Sequence, residues 1–81
     1  SKDVMIGSME DGCDYLLKAR GISRLHAKLI KKEEGMYLTD LNSTNGTYIN
    51  GDRIDVGKEY PLEEGDMVAF AGSRFFVARE E

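Results

Sequence analysis

A single cysteine, Cys13, excludes an internal disulfide, so this 81-residue chain holds itself together by packing alone. The chain has one histidine, His26, so a four-ligand metal site would have to recruit carboxylates. No metal and no cofactor is expected. No apolar run approaches the ~18–20 residues a membrane helix needs, and no basic-then-apolar opening reads as a secretion leader. No membrane insertion is therefore expected, and the cytoplasm is the expected location. Repeats, linkers and low-complexity stretches are also missing. What is there is one domain's worth of ordinary sequence, 41% hydrophobic and 32% charged, spanning residues 1–81 as a single unit. A chain this short buries only about 60% of its unfolded surface, so its core is thin.

The formal net charge is −4, which argues against nucleic acid as a ligand, since its binders usually carry a basic surplus. The distribution says more than the sum. From Lys18 to Lys32 there are six bases (Lys18, Arg20, Arg24, Lys28, Lys31 and Lys32) and no acid. From Asp52 to Glu81 there are eight acids against four bases. A locally positive segment on an acidic domain suits a small anionic ligand, and it equally suits a solvated basic strand face.

Periodicity points to short strands broken by turns, with no helical pattern. Val4–Ile6 and Tyr15–Leu17 are strand-like. Leu25, Ala27 and Leu29 alternate with His26, Lys28 and Ile30, and Met36–Leu41 forms a return strand after the turn Glu33-Glu34-Gly35. Two Asn-Gly pairs, Asn45-Gly46 and Asn50-Gly51, are hairpin signals flanking a very short strand, Thr47–Ile49. Glu64-Gly65-Asp66 is a further turn. Met67–Phe70 and Arg74–Ala78 then pair around Ala71-Gly72-Ser73. Many short strands with close turns indicate an all-β sandwich or barrel.

Two polar clusters interrupt the alternation: Gly21-Ile22-Ser23-Arg24-Leu25-His26, and Asp40-Leu41-Asn42-Ser43-Thr44-Asn45-Gly46-Thr47. Together they offer hydroxyls (Ser23, Thr44), amides (Asn42, Asn45) and one fixed cationic fork (Arg24). That is equipment for gripping a phosphate, with neutral donors around a charged one. The same residue types also cap turns with no ligand at all.

The sequence Ser23-Arg24-Leu25-His26-Ala27, followed by Asp40-Leu41-Asn42-Ser43-Thr44-Asn45-Gly46-Thr47-Tyr48-Ile49-Asn50-Gly51, resembles the signature of forkhead-associated (FHA) domains. Leu62, Glu64-Gly65-Asp66-Met67-Val68 and Phe70 extend the similarity, which runs from about Ile6 to Val77. The resemblance implies a two-sheet antiparallel β-sandwich and a phosphothreonine-dependent peptide-binding module for signalling or complex assembly, not an enzyme. Its partner would be a phosphothreonine-containing protein or peptide. Ser23 and Arg24 would contact the phosphate, and Thr44 the phosphate or the adjoining peptide. Asn45 would clamp the ligand's main chain. The family's preference for phosphothreonine implies a small pocket for the threonine methyl. His26 would be structural, tying the two loops together, with Gly7 and Gly46 as turn glycines.

Two departures stand out. The family usually has Gly-Arg near its start, and that arginine contacts phosphate; here Gly7 is followed by Ser8. Three outcomes stay open. Arg24, with Lys18 or Arg20, supplies the charge and Ser8 a hydroxyl. Or the domain binds weakly. Or phosphate binding is lost and the domain is a phosphate-independent assembly module. Second, six residues precede Gly7, fewer than the family's usual N-terminal strands. An open sheet edge would then want cover, from another part of a longer protein or from a second copy in a homodimer.

Other motifs fail. Asp40-x-Asn42-x-Thr44 starts like a calcium loop, but Asn45 and Gly51 stand where that loop needs Gly and Glu. Cys13 shows no partner and receives no role. A small hydrolase is disfavoured, because the chain has no nucleophile elbow and no room for a cleft of ~300 Å3 or more.

Overall fold

The computed structural model describes residues 2–78, which form nine strands and no helix. In chain order they are β1 Lys2–Gly7, β2 Tyr15–Leu16, β3 Ala27–Lys32, β4 Gly35–Asp40, β5 Thr47–Ile49, β6 Asp52–Arg53, β7 Tyr60–Leu62, β8 Met67–Phe70 and β9 Ser73–Phe76. Five make one sheet in the order β2-β1-β3-β4-β7, and four make the other in the order β6-β5-β8-β9. All pairings between named strands are antiparallel except β1 with β2. No helix among the described residues is long and apolar enough to cross a membrane.

Alternation along the strands explains the layers. Ile6, Ala27, Leu38 and Leu62 of the first sheet meet Val68 and Phe70 of the second in one buried cluster, with Ile54 added from the loop after β6. Burying each large apolar side chain contributes about 1.5–3 kcal/mol, which is what drives the two sheets together.

The structure departs from the sequence expectations in several places. Asn50 and Gly51 both have positive φ, 52° and 89°, and join β5 to β6 as an Asn-Gly hairpin turn should. Asn45-Gly46 is no such hairpin. Only Gly46 has positive φ, and the strands on either side lie in different sheets. Strand β3 begins at Ala27, which leaves Leu25 and His26 in the loop, and β9 ends at Phe76. The short strands β6 and β7 carry little period-2 signal. Pro61 sits in β7, an edge strand, where a residue without an N–H is tolerated.

Register then dictates where the loops go. Ala27 pairs with Asp40, so the segment entering β3 and the segment leaving β4 emerge side by side at one end of the sandwich. Ile6 pairs with Ala27, so the chain after β1 emerges there too. The β8–β9 turn joins them: the Ala71 N–H donates to the Gly46 carbonyl at 2.9 Å.

Candidate functional site

The loop after β4 is built on a buried carboxylate. Asp40, 2% exposed, takes four hydrogen bonds. Its Oδ2 accepts the Asn42 and Ser43 N–H groups at 3.1 and 3.2 Å. Its Oδ1 accepts the Ser43 and Thr47 hydroxyls at 2.6 and 2.7 Å. Ser43 Oγ in turn accepts the Gly46 N–H at 3.0 Å. Burial alone would push this carboxyl's pKa up. The bonds from Ser43 and Thr47 outweigh that and hold it below the ordinary aspartate value. The loop is thereby folded by its own side chains, and Asn42 is held at a φ of 65°.

His26 joins this loop to the one before β3. Its ring is fully buried, edge-on to Phe70 with ring centroids 5.8 Å apart. The Ser23 N–H donates to Nδ1 at 3.0 Å. An N–H can only donate, so the network assigns the ring proton to Nε2, which donates to the Gly46 carbonyl at 2.9 Å. Two further ties cross between the loops. The Thr44 N–H donates to Ser23 Oγ at 3.0 Å, and Asn45 Nδ2 donates to the Gly21 carbonyl at 2.9 Å.

The result is a shallow, open depression of about 550 Å3 lined by Gly21, Ile22, Ser23, Arg24, Asn42, Thr44 and Asn45. Five of the residues singled out from the sequence (Ser23, Arg24, Asn42, Thr44 and Asn45) thus come together. The volume exceeds what the chain length led us to expect, because this is an open concavity between loop tips rather than a cleft enclosed in the core. One cation and no acid line it. Arg24 makes no ion pair among the described residues. Its guanidinium donates to the Met9 thioether at 3.3 Å, a weak acceptor that leaves it free to turn to an anion. Ser23 Oγ accepts one bond, and its proton remains for a ligand.

Ser8 is not brought to the lining. Its N–H donates to the Ser23 carbonyl at 3.1 Å, and its hydroxyl reaches toward the Ile22 carbonyl at 3.4 Å, behind the loop. Gly7 packs against the loop before β3 and is not a turn glycine: it ends β1 without positive φ. A Cβ there would collide with the Arg24 carbonyl, so only glycine lets β1 approach the loop this closely. Gly46 does have positive φ, 90°, and a Cβ on it would also meet the Arg53 guanidinium. Cys13 has a partner after all, donating its thiol to the Arg24 carbonyl at 3.2 Å. Lys18 is drawn away by Glu10, 2.7 Å from its Nζ.

Asp40, Ser43 and Thr47 were missed as supports of the site. Their signal lay in the sequence: an aspartate followed at three and seven residues by hydroxyls that can donate to its carboxylate, which also accepts the backbone N–H groups two and three residues on.

Comparison with known proteins fits this geometry. The chain is similar to the nuclear inhibitor of protein phosphatase 1 from Homo sapiens, 32% identical over 83 residues that cover 99% of this chain and 24% of that protein. It spans between 5% and 24% of the length of the curated relatives it matches. It superposes with a TM-score of 0.86 and 30% identity on an FHA domain solved for its phosphothreonine-dependent interactions, covering 100% of this chain and 80% of that one. On the N-terminal FHA domain of RAD53P from S. cerevisiae, in complex with a phosphothreonine peptide, the TM-score is 0.74 at 30% identity, covering 83% of this chain and 54% of that one. The family model of the FHA domain matches residues 4–71, and this chain belongs to the FHA domain family.

Proposed function

We propose that this chain is a phosphothreonine-dependent peptide-binding module, one domain over residues 1–81, that grips its ligand between the 21–26 and 40–47 loops. The observation that carries the proposal is the depression itself, with one unpaired arginine, hydroxyl and amide donors, and no carboxylate. A phosphate dianion is the ligand best matched to that set, because charge-assisted hydrogen bonds are roughly twice as strong as neutral ones. In this proposal Ser23 and Arg24 hold the phosphate, Thr44 and Asn42 sit at its rim, and Asn45 orients the peptide. Ser8 acts only through the loop it backs. Gly7, His26 and Gly46 keep the loops in place.

Four bonds of about 1.5–3 kcal/mol each support roughly micromolar binding once association costs are subtracted. With Ser8 where an arginine is usual, one charge-assisted bond is missing, worth about 10–100-fold in affinity. Arg24 is then the main cationic determinant. The module binds without chemistry, since both ring nitrogens of its one histidine are committed to structural bonds. A free thiol at Cys13 suits the reducing cytoplasm, where we place the module.

Titration of a phosphothreonine peptide library against its unphosphorylated and phosphoserine twins tests the proposal. Phosphothreonine peptides should bind tightest, and Arg24→Ala should weaken them about tenfold while Arg74→Ala leaves them unchanged. Equal affinity for the phosphorylated and plain forms would remove the claim, and phosphate-independent assembly would take its place.

A further inference from the structure

The loop from Ser8 to Asp14 is pinned at its base. The Met5 N–H donates to Asp14 Oδ2 at 2.8 Å, and the Asp14 N–H donates back to the Met5 carbonyl at 2.9 Å. Within this loop Met9 is tied to Arg24 twice. Its N–H donates to the Arg24 carbonyl at 3.2 Å, and its sulfur accepts a hydrogen bond from the Arg24 guanidinium at 3.3 Å. The Met9 methyl lies over Gly12, where a Cβ would collide with it, so the thioether is held where the guanidinium meets it. Met9 is half-buried, while Glu10, Asp11 and Gly12 beside it are exposed, so small solutes reach this turn.

The acceptor strength of that sulfur is a chemical variable. A thioether accepts weakly, and a phosphate oxygen outcompetes it for a guanidinium. A sulfoxide is polar, and its oxygen accepts strongly. Oxidation of Met9 therefore sets a strong acceptor against the one cation that lines the phosphate depression. The other three methionines, Met5, Met36 and Met67, lie within strands β1, β4 and β8 and serve as internal controls.

We propose that Met9 is an oxidative modification site that gates Arg24: as a thioether it releases the guanidinium to phosphate, and as a sulfoxide it retains it. The proposal rests on the phosphothreonine reading and adds a control to it. The oxidant is a hydroperoxide. A lone pair on the Met9 sulfur attacks its terminal oxygen, the O–O bond breaks, and the proton on the transferred oxygen passes to the departing one. The thioether loses two electrons and becomes the sulfoxide, and hydrogen peroxide is reduced to water. A dithiol reverses the step, taking the oxygen away as water and becoming a disulfide. Affinity for phosphothreonine peptides falls in the oxidised state, by no more than the loss of Arg24 itself would cause.

The test measures phosphothreonine-peptide affinity by fluorescence anisotropy before and after hydrogen peroxide, with the sulfoxide at Met9 quantified by tandem mass spectrometry. Oxidation should weaken binding about three- to tenfold, up to the loss that Arg24→Ala gives, and methionine sulfoxide reductase should restore it. Met9→Leu conserves volume and should keep one affinity through the peroxide treatment, with Cys13 still present. Met9→Gln carries a permanent amide oxygen and should bind more weakly than Met9→Leu with no oxidant. Arg24→Ala should lose nothing further on oxidation. Without peptide, the Arg24 side-chain N–H signal should shift on oxidation in NMR spectra. The proposal is overturned if Met9 stays a thioether while Met5, Met36 or Met67 oxidise, if full oxidation at Met9 leaves affinity unchanged, or if the loss persists in Met9→Leu or Arg24→Ala. An untreated chain that binds plain and phosphorylated peptides equally would instead bring down the phosphothreonine proposal, and the Arg24 signal would still report on the sulfoxide contact.

Discussion

Asp40→Asn changes no volume, so it isolates the charge that organises the loop after β4. The carboxamide has one oxygen where the carboxylate has two, and four donors converge on those two atoms. The oxygen must stay at the Oδ2 position, because the Asn42 and Ser43 N–H groups cannot accept. The amide NH2 then faces the Ser43 and Thr47 hydroxyls, which have to turn and accept. Ser43 Oγ already accepts the Gly46 N–H, so that rearrangement disturbs the next bond as well. Exchanging charge-assisted bonds for neutral ones loses on the order of 1 kcal/mol apiece, and the four together give about 2–4 kcal/mol. A domain of this size has about 4–12 kcal/mol of stability in all. The melting temperature should fall by roughly 10–25 °C. Urea unfolding followed by circular dichroism, at pH 7 and again in acid, reads the effect. Asp40 is held below its unfolded value of about 3.9. Its contribution is thus fully present above that pH and disappears as pH falls through the lower folded value. The gap between the native chain and Asp40→Asn should be wide at pH 7 and should narrow in acid, where Asp40 itself takes up a proton. Asp66, also held low by the Glu63 N–H and Asn50, titrates in both proteins and cancels from the difference. A gap that is absent at pH 7, or that widens in acid, would refute the reasoning.

Two further substitutions probe the join between the loops. His26→Ala removes both structural bonds and leaves a void against Phe70, so about 3 kcal/mol should be lost in urea unfolding, and a loss below 1 kcal/mol would contradict the bridging role. Gly7→Ala forces a methyl group against the Arg24 carbonyl, and should cost about 1–3 kcal/mol and weaken phosphopeptide binding as Arg24 shifts; a variant that melts and binds like the native chain would show that the approach of β1 is not tight.

Strand alternation from Ala27 to Asp40 and the hairpin pair at Asn50-Gly51 were legible in the sequence because they are local. So were the five polar side chains, Ser23, Arg24, Asn42, Thr44 and Asn45, that line the depression. The convergence of the two loops follows from register, Ala27 opposite Asp40, which no local pattern carries. Asn45-Gly46 was misleading for the same reason: a strong turn signal says nothing about whether the flanking strands share a sheet. Ser8 illustrates the reverse limit. Its place beside Gly7 suggested a ligand contact, but its N–H and hydroxyl are turned to carbonyls of the 22–24 segment. Lys18 looked like a spare cation until Glu10, eight residues earlier, was found beside it.

The most direct measurement follows backbone amide shifts by NMR while a phosphothreonine peptide is added. The largest changes should cluster at Gly21–Arg24 and Asn42–Gly46, with β7 and the far end of β3 unmoved. Shifts that centre elsewhere on the sandwich, or that appear equally with the unphosphorylated peptide, would contradict a dianion held between these two loops.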